Sequence, residues 1–196
     1  MKKFKFNKKN IIFIVIGIIG VISFFAHNYT SKSSENNNSI ETNAEYTSKT
    51  PEEALKNTSF DSSFTDAEKA KIVELTDKFA KMTLNNDYKT DNVDTLKNFV
   101  NYMSDDLKAN YSDDVLQKQI DSLVKNEHIS KLQDITYTAI KKDTDNELIA
   151  VSFTATVKVV NDKDSKESGK TFSKVICGFA FDKNWKISKF SIGPYK

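Results

Sequence analysis

No arginine occurs in the 196 residues, and cysteine, histidine, glycine and proline are scarce at 1, 2, 5 and 2 copies. Each scarcity closes a class of chemistry. Cys177 alone rules out an intramolecular disulfide and a four-cysteine zinc site. Two histidines, His27 and His128, argue against a multi-histidine metal centre or a dehydrogenase-like site. The scattered glycines assemble no phosphate-cradling loop. Positive charge is also thinner than the net charge of +2 suggests: residues 1–10 hold five lysines, leaving 24 Lys against 27 Asp and Glu over 11–196. A chain with that balance lacks the clustered positive surface that displaces counterions from nucleic acid, so no direct nucleic-acid binding is expected.

What the sequence does have is a graded layout. The basic tail 1–10 precedes an uncharged run, IIFIVIGIIGVISFFA, over residues 11–26. As a helix this run covers about 24 Å of a hydrocarbon core of about 30 Å, and flanking residues with snorkelling lysines extend it to a full span. A buried core helix would show a polar face, and this segment has none. A cleaved leader is the competing reading, but cleavage after Ala26 puts Phe24 where a small residue is required, so a retained anchor is preferred. The lysines of the tail then place the N-terminus in the cytoplasm and everything after Ala26 outside, as a single-pass protein of the cell membrane. Over 27–63, 19 of 37 residues are Ser, Thr or Asn and seven are apolar, the composition of a disordered polar stalk. Within it, Pro51 starts a short helical turn over 51–57. Residues 64–196 carry enough apolar side chains for one extracytoplasmic domain.

That domain reads as helices followed by strands. Thr65 and Glu68 form a capping box, and Ile72, Leu75, Phe79 and Met82 follow at helical spacing to about Asn86. A second helix after Asp91 buries Val93, Leu96, Phe99, Val100 and Met103. A third, capped by Ser112, buries Leu116, Ile120, Leu123 and Val124, with Asp113 and Asp114 at the positive end of its dipole. The period then changes to two. Strands are expected over Gln133–Ile140, Leu148–Val160, Thr171–Asp182 and Trp185–Ile192, with a turn at Thr144–Glu147 and a charged loop over 161–170. Short connections and one-sided alternation imply an antiparallel sheet with one face covered by helices. The fold class is α+β: three N-terminal helices packed on a curved four-stranded antiparallel sheet, preceded by one transmembrane helix.

No catalytic set emerges. The pairs Asp105–Asp106 and Asp113–Asp114 stand at helix ends, where acids cap rather than catalyse. The loop Asn161–Gly169 has lysine at a calcium-ligand position and Glu167 where the turn glycine belongs, so it is a solvated loop. Cys177 points into the core from an alternating strand. His128 stands at a helix-to-strand junction, where histidine is usually exposed or bonded to backbone. Tyr102, Tyr111 and Tyr137 fall at core spacing, with the alternative that they line a cavity between helices and sheet. The sequence assigns no catalytic, cofactor-binding or metal-ligating residue and no cofactor; the protein is not expected to be an enzyme.

Helices followed by an antiparallel sheet ending in a Trp-containing strand resembles the nuclear-transport-factor-2-like fold, over roughly Thr65–Ile192. The whole plan of basic tail, membrane helix, polar stalk and one such external domain is similar to the membrane-anchored assembly factors of type IV secretion and of Gram-positive conjugation systems. The resemblance implies a non-enzymatic scaffold subunit of a DNA-transfer channel. Its partners would be other membrane or secretion-channel proteins, often with self-association into a homo-oligomer. The alternative is a small-ligand-binding or sensory domain using the cavity between helices and sheet. An isomerase- or dehydratase-like enzyme on the same fold would need an Asp or His aimed into that cavity.

Overall fold

The computed structural model describes residues 46–61, 63–161 and 170–195. The basic tail, the apolar run, the stalk as far as residue 45 and the charged loop over 162–169 lie outside the described residues. Among the described residues no helix is long and apolar enough to cross a membrane. In chain order the elements are α1 (Pro51–Leu55), β1 (Ser59–Phe60), α2 (Asp66–Leu84), β2 (Asn86–Asp87), α3 (Val93–Val100), α4 (Asp105–Lys108), α5 (Asp113–Lys125), β3 (His128–Asp143), β4 (Leu148–Asn161), β5 (Lys170–Phe181) and β6 (Ile187–Pro194).

Local chemistry starts every helix but α4 where the sequence places it. Thr65 Oγ1 accepts from the Glu68 amide at 3.2 Å while Glu68 Oε2 accepts from the Thr65 amide at 2.8 Å. The bonds that the Thr65 amide and hydroxyl donate to Oε2, with Lys142 beside it, hold the Glu68 carboxyl down at about 2. Thr50 and Glu53 close a second capping box with Pro51 at the first position of α1, Asn92 caps α3 and Ser112 caps α5. Asp105 and Asp106 form the first turn of α4, a one-turn helix the periodicity does not reveal. Val124, expected on the buried side of α5, is about half exposed because it faces away from Leu123 at the end of the helix.

The four long strands pair antiparallel in the expected order β3-β4-β5-β6, yet the sheet is mixed and six-stranded. β1 runs parallel to β3, Ser59 opposite Ala139 and Phe60 opposite Ile140, while β2 pairs antiparallel with residues 129 and 130. Both short strands lie along the one edge of β3 that β4 leaves open. Between them, Asn85 Oδ1 accepts from the Leu132 amide at 2.7 Å and Lys49 Nζ donates to the Ile135 carbonyl at 3.0 Å. The edge is thus closed by short strands and side chains rather than by a long partner, which removes a template for aggregation.

This edge moves the boundary between stalk and domain. Tyr46 and Leu55 are buried in the main core, α1 packs beside α2, and β1 belongs to the sheet. The packed region therefore includes residues from Tyr46 onward, part of the segment 27–63 expected to be a disordered stalk. Its composition is polar, but the few apolar residues it has are the ones that dock.

β3 starts at His128, earlier than the Gln133 expected from alternation. Its inward residues are His128, Ser130 and Leu132, then Ile135 and Tyr137, then Ile140. Bulges between Leu132 and Asp134 and between Tyr137 and Ala139 change the parity twice, so period-two alternation never runs long enough to mark the whole strand. At the far end, Trp185 is not in β6. It occupies the turn after Asp182 with φ 60°, partly exposed and packed on Phe181 at 6.4 Å.

The core is aromatic at its centre. Phe79 of α2 is fully buried, with ring centroids of Tyr102, Phe181, Phe99 and Phe179 at 5.3, 5.8, 6.2 and 6.3 Å. Phe153 stacks at 5.3 Å on Phe179 and at 6.1 Å on Tyr137. As expected, Val151, Phe153, Ala155, Val157 and Val159 of β4 and Val175, Cys177, Phe179 and Phe181 of β5 all face this layer.

Candidate functional site

Two polar constellations are buried between α2, α5 and the inner face of the sheet. In the first the Asp77 carboxylate takes two donors, while the buried hydroxyl of Thr76, next to Asp77 in α2, has no hydrogen-bond partner among the described residues. Asp77, one helical turn after Val73, accepts from Tyr137 Oη at 2.9 Å and from Tyr46 Oη at 3.0 Å. Tyr137 also reaches the Val73 carbonyl at 3.4 Å. Burial, and then Asp77 beside them, raises both phenols far above their ordinary value, so they remain donors at every physiological pH. Asp77 thereby ties α2 to β3 and to the segment that enters the domain at Tyr46.

The second constellation is open. Where the C-terminal turn of α2 meets α3, α5 and the start of β3, a cavity of about 30 Å³ remains. Leu96, Phe99, Leu116 and Ile192 supply apolar wall, and Tyr111, Gln119 and His128 supply the polar part. Tyr111 Oη and Gln119 Nε2 are fully buried and have no hydrogen-bond partner among the described residues. Burial raises the Tyr111 hydroxyl and lowers His128 to about 4, which keeps the imidazole neutral at pH 7. Thr83 and Asn86 complete the rim with their donors already engaged. The Thr83 hydroxyl bonds the Phe79 carbonyl at 2.8 Å, and Asn86 Nδ2 bonds Ser130 Oγ at 3.0 Å.

The residues singled out in the sequence distribute unevenly over these places. His128 is buried rather than exposed at its junction, because Ser130 and Leu132 carry the inward face of β3 back to it. Tyr111 lines the cavity; Tyr137 belongs to the Asp77 cluster; Tyr102 lies on Phe79 beneath Lys78, whose Nζ is 4.2 Å from its ring. Cys177 is buried in β5 with its thiol pushed up to about 12 by desolvation, which denies it thiolate character. Asp113 pairs with Lys97 at 2.8 Å across α5 and α3. The turn Asp143–Glu147 forms as expected, the Asn146 amide on Asp143 Oδ1. Among the described residues no group of three or more His, Cys, Asp or Glu gathers as a metal site.

Asp77 and Gln119 are the residues that periodicity passes over. Each is polar at a position its helix buries: Asp77 lies four residues after Val73, and Gln119 lies three after Leu116 and beside Ile120. A polar side chain on a buried helical face was the available signal.

No protein-family model matches the chain, and no curated protein matches it significantly. Two solved structures are similar to it. One is CagV, described as a VirB8 homolog of the type IV secretion system of Helicobacter pylori, at 13% identity and TM-score 0.45, covering 65% of this chain and 99% of CagV. The other is the putative transfer protein TraH of the Gram-positive conjugative plasmid pIP501, at 18% identity and TM-score 0.43, covering 68% of this chain and 98% of TraH. By these descriptions both are secretion or conjugation proteins.

Proposed function

We propose that the chain is a membrane-tethered, non-enzymatic scaffold subunit of a conjugative DNA-transfer channel, working through protein contacts of its α+β domain. The reading takes the channel from the sequence plan of tail, apolar run, stalk and domain. The observation that supports a contact role is the division of the sheet into two unlike faces. The inner face is filled by the rings around Phe79, and the groups with reactive potential, Cys177 and His128, are buried in neutral form. The outer face of β5 leaves Phe172 and Ile176 about half exposed, with Lys174 between them and its Nζ 5.9 Å from the exposed Tyr195 ring. Aromatic and aliphatic groups set among lysines on a rigid sheet are a composition suited to protein contact.

A photo-crosslinking amino acid at Ile176 in the tagged full-length chain, irradiated in its native membrane and followed by mass spectrometry, tests this. Covalent capture of a secretion ATPase, a wall hydrolase, another membrane subunit or a second copy is the expected result, with little from the same group at Lys118 on α5. Equal capture at both positions, or none at either, would sink the contact role of this face.

A further inference from the structure

We propose that the outer face of the sheet receives an acidic helix of a partner protein, laid across the strands between two banks of lysines. The inference rests on the reading of this face as a contact surface and names the kind of partner that fits it.

Cross-strand register fixes the layout. On one bank stand Lys131 and Lys158, directly opposite each other, and Lys174, opposite Thr156. On the other, Lys141 stands opposite Ala150, Ala150 opposite Ala180 and Ala180 opposite Lys189. Between the banks the face is low. One row across the strands runs Thr154, Ile176, Gly193, and the next runs Ser152, Gly178, Ser191. A Cβ at Gly193 would meet nothing within 4 Å, and its φ is not positive, so neither crowding nor backbone conformation calls for glycine there. A strand glycine that its own chain does not require leaves room for the close approach of another backbone.

Charge gives the sign of the partner. Within the span of the two banks the described strands add one acid, Asp134, already paired with Lys49 at 2.7 Å. Asp143, past the second bank, has both carboxylate oxygens on Asn146. Among the described residues Lys131, Lys141 and Lys174 have no carboxylate within ion-pair distance. A face of this kind steers and orients an acidic partner.

Dimensions give its shape. The six residues from Lys174 to Ala180 set the banks about 20 Å apart. A helix with its side chains is about 10–12 Å across, so it lies on the floor with lysines at both flanks. An extended segment adds to a sheet at its edge, whereas a helix packs on a sheet's face. A lipid surface fits less well, because it needs apolar side chains projecting past the lysines along the whole face. Here Phe172 and Tyr195 project at the first bank only, and Ile176 lies among Ser, Thr and Gly.

The test reads the crosslink from Ile176 at the level of the captured peptide, in the tagged full-length chain irradiated in its native membrane. Adducts are expected in a helical segment with Asp or Glu on both flanks of an apolar or small-residue stripe. Lys141→Glu together with Lys174→Glu should cut the yield about tenfold, while Lys141→Arg with Lys174→Arg should keep it within about twofold. Lys118→Glu on α5 should leave it unchanged. The urea midpoint of each purified variant, read by Trp185 fluorescence, certifies its fold, and if the glutamate pair does not fold, the captured peptide on the unaltered chain decides alone. Adducts in a lysine-rich or strand segment, adducts on lipid or nucleic acid only, or a loss as large with arginine as with glutamate overturns the proposal. Protein capture that survives the double charge reversal sinks the acidic helix and leaves the contact role standing, whereas no capture at Ile176 sinks both.

Discussion

Tyr137 and His128 stand on the same inward face of β3, and each faces a helix that brings a polar side chain into the core. At the Tyr137 end, Asp77 of α2 takes two phenol donors at 2.9 and 3.0 Å, one of them from Tyr46 at the very start of the packed region. At the His128 end, Gln119 of α5 and Tyr111 contribute donors that meet no acceptor among the described residues. The first arrangement is structural: its polar groups hold three segments in register, and removing one leaves the others stranded. At the second, the tie between segments is the bond of Asn86 Nδ2 to Ser130 Oγ on the rim, to which Tyr111 Oη and Gln119 Nε2 add none among the described residues. A buried donor without an acceptor is a group that the fold accommodates rather than one that it needs as a strut.

The sharpest way to break this contrast is to remove the acceptor of the closed cluster. Asp77→Ala leaves two buried phenols without their carboxylate, and two stranded hydroxyls should cost about 4 kcal/mol. Urea titration followed by the fluorescence of Trp185, the chain's one tryptophan, measures it. A loss below about 1 kcal/mol would mean that the hydroxyls find other acceptors and that the cluster is not a strut.

His128 sharpens the other side. Its folded-state value of about 4 lies below the ordinary 6.5, so the unfolded chain takes up a proton that the folded chain refuses. The contribution is complete above pH 6.5 and is lost as pH falls toward 4. Between pH 7 and pH 4.5 the domain should lose on the order of 2–3 kcal/mol through this residue. Glu68 adds a loss of the same sign, since its lowered value withdraws stability as pH drops below 4.5. The comparison with His128→Gln separates them, because Glu68 is common to both proteins and the histidine share alone should vanish.

Tyr46→Phe tests whether the entering segment is fastened by the same cluster. It removes one donor and leaves Tyr137 on Asp77, for a loss of about 1 kcal/mol. The Lys49–Asp134 pair at 2.7 Å remains, but both partners are more than a third exposed and it adds little. Amide exchange over residues 46–61 should rise about fivefold while β4 is unchanged. Uniform acceleration across the sheet would show instead that the segment and the sheet open together.

The sequence and the fold agree most where one rule acts alone. Thr65 and Ser112 announce their helices because capping is local, and the inward residues of β4 and β5 follow a single unbroken alternation. Agreement fails where two rules compete. β3 is bulged twice, so its start at His128 was hidden by parity changes that only the pairing partner reveals. The polar segment 46–61 reads as stalk because its composition averages over Tyr46, Leu55 and two strand residues whose value lies in contacts distant in sequence. The cavity was half legible: Tyr111 and His128 drew notice by residue type, but that Gln119 meets them depends on how α5 is rotated against β3, which no local pattern encodes.

The smallest expected effect is also the one of opposite sign. Gln119→Leu replaces a buried amide, whose Nε2 lacks a partner, by an apolar side chain of similar length against Leu116 and Phe99. Deleting an unsatisfied donor removes a desolvation penalty, so the domain should be unchanged or gain up to about 1 kcal/mol at pH 7. The same kind of substitution at Asp77 would be severe, although both residues are polar, buried and helical. Measured side by side in urea, a stabilising Gln119→Leu beside a crippling Asp77→Ala would separate the group that the fold needs from the group that it only accommodates. A loss at Gln119 comparable to that at Asp77 would make both ends of the interface structural and leave the cavity a packing defect.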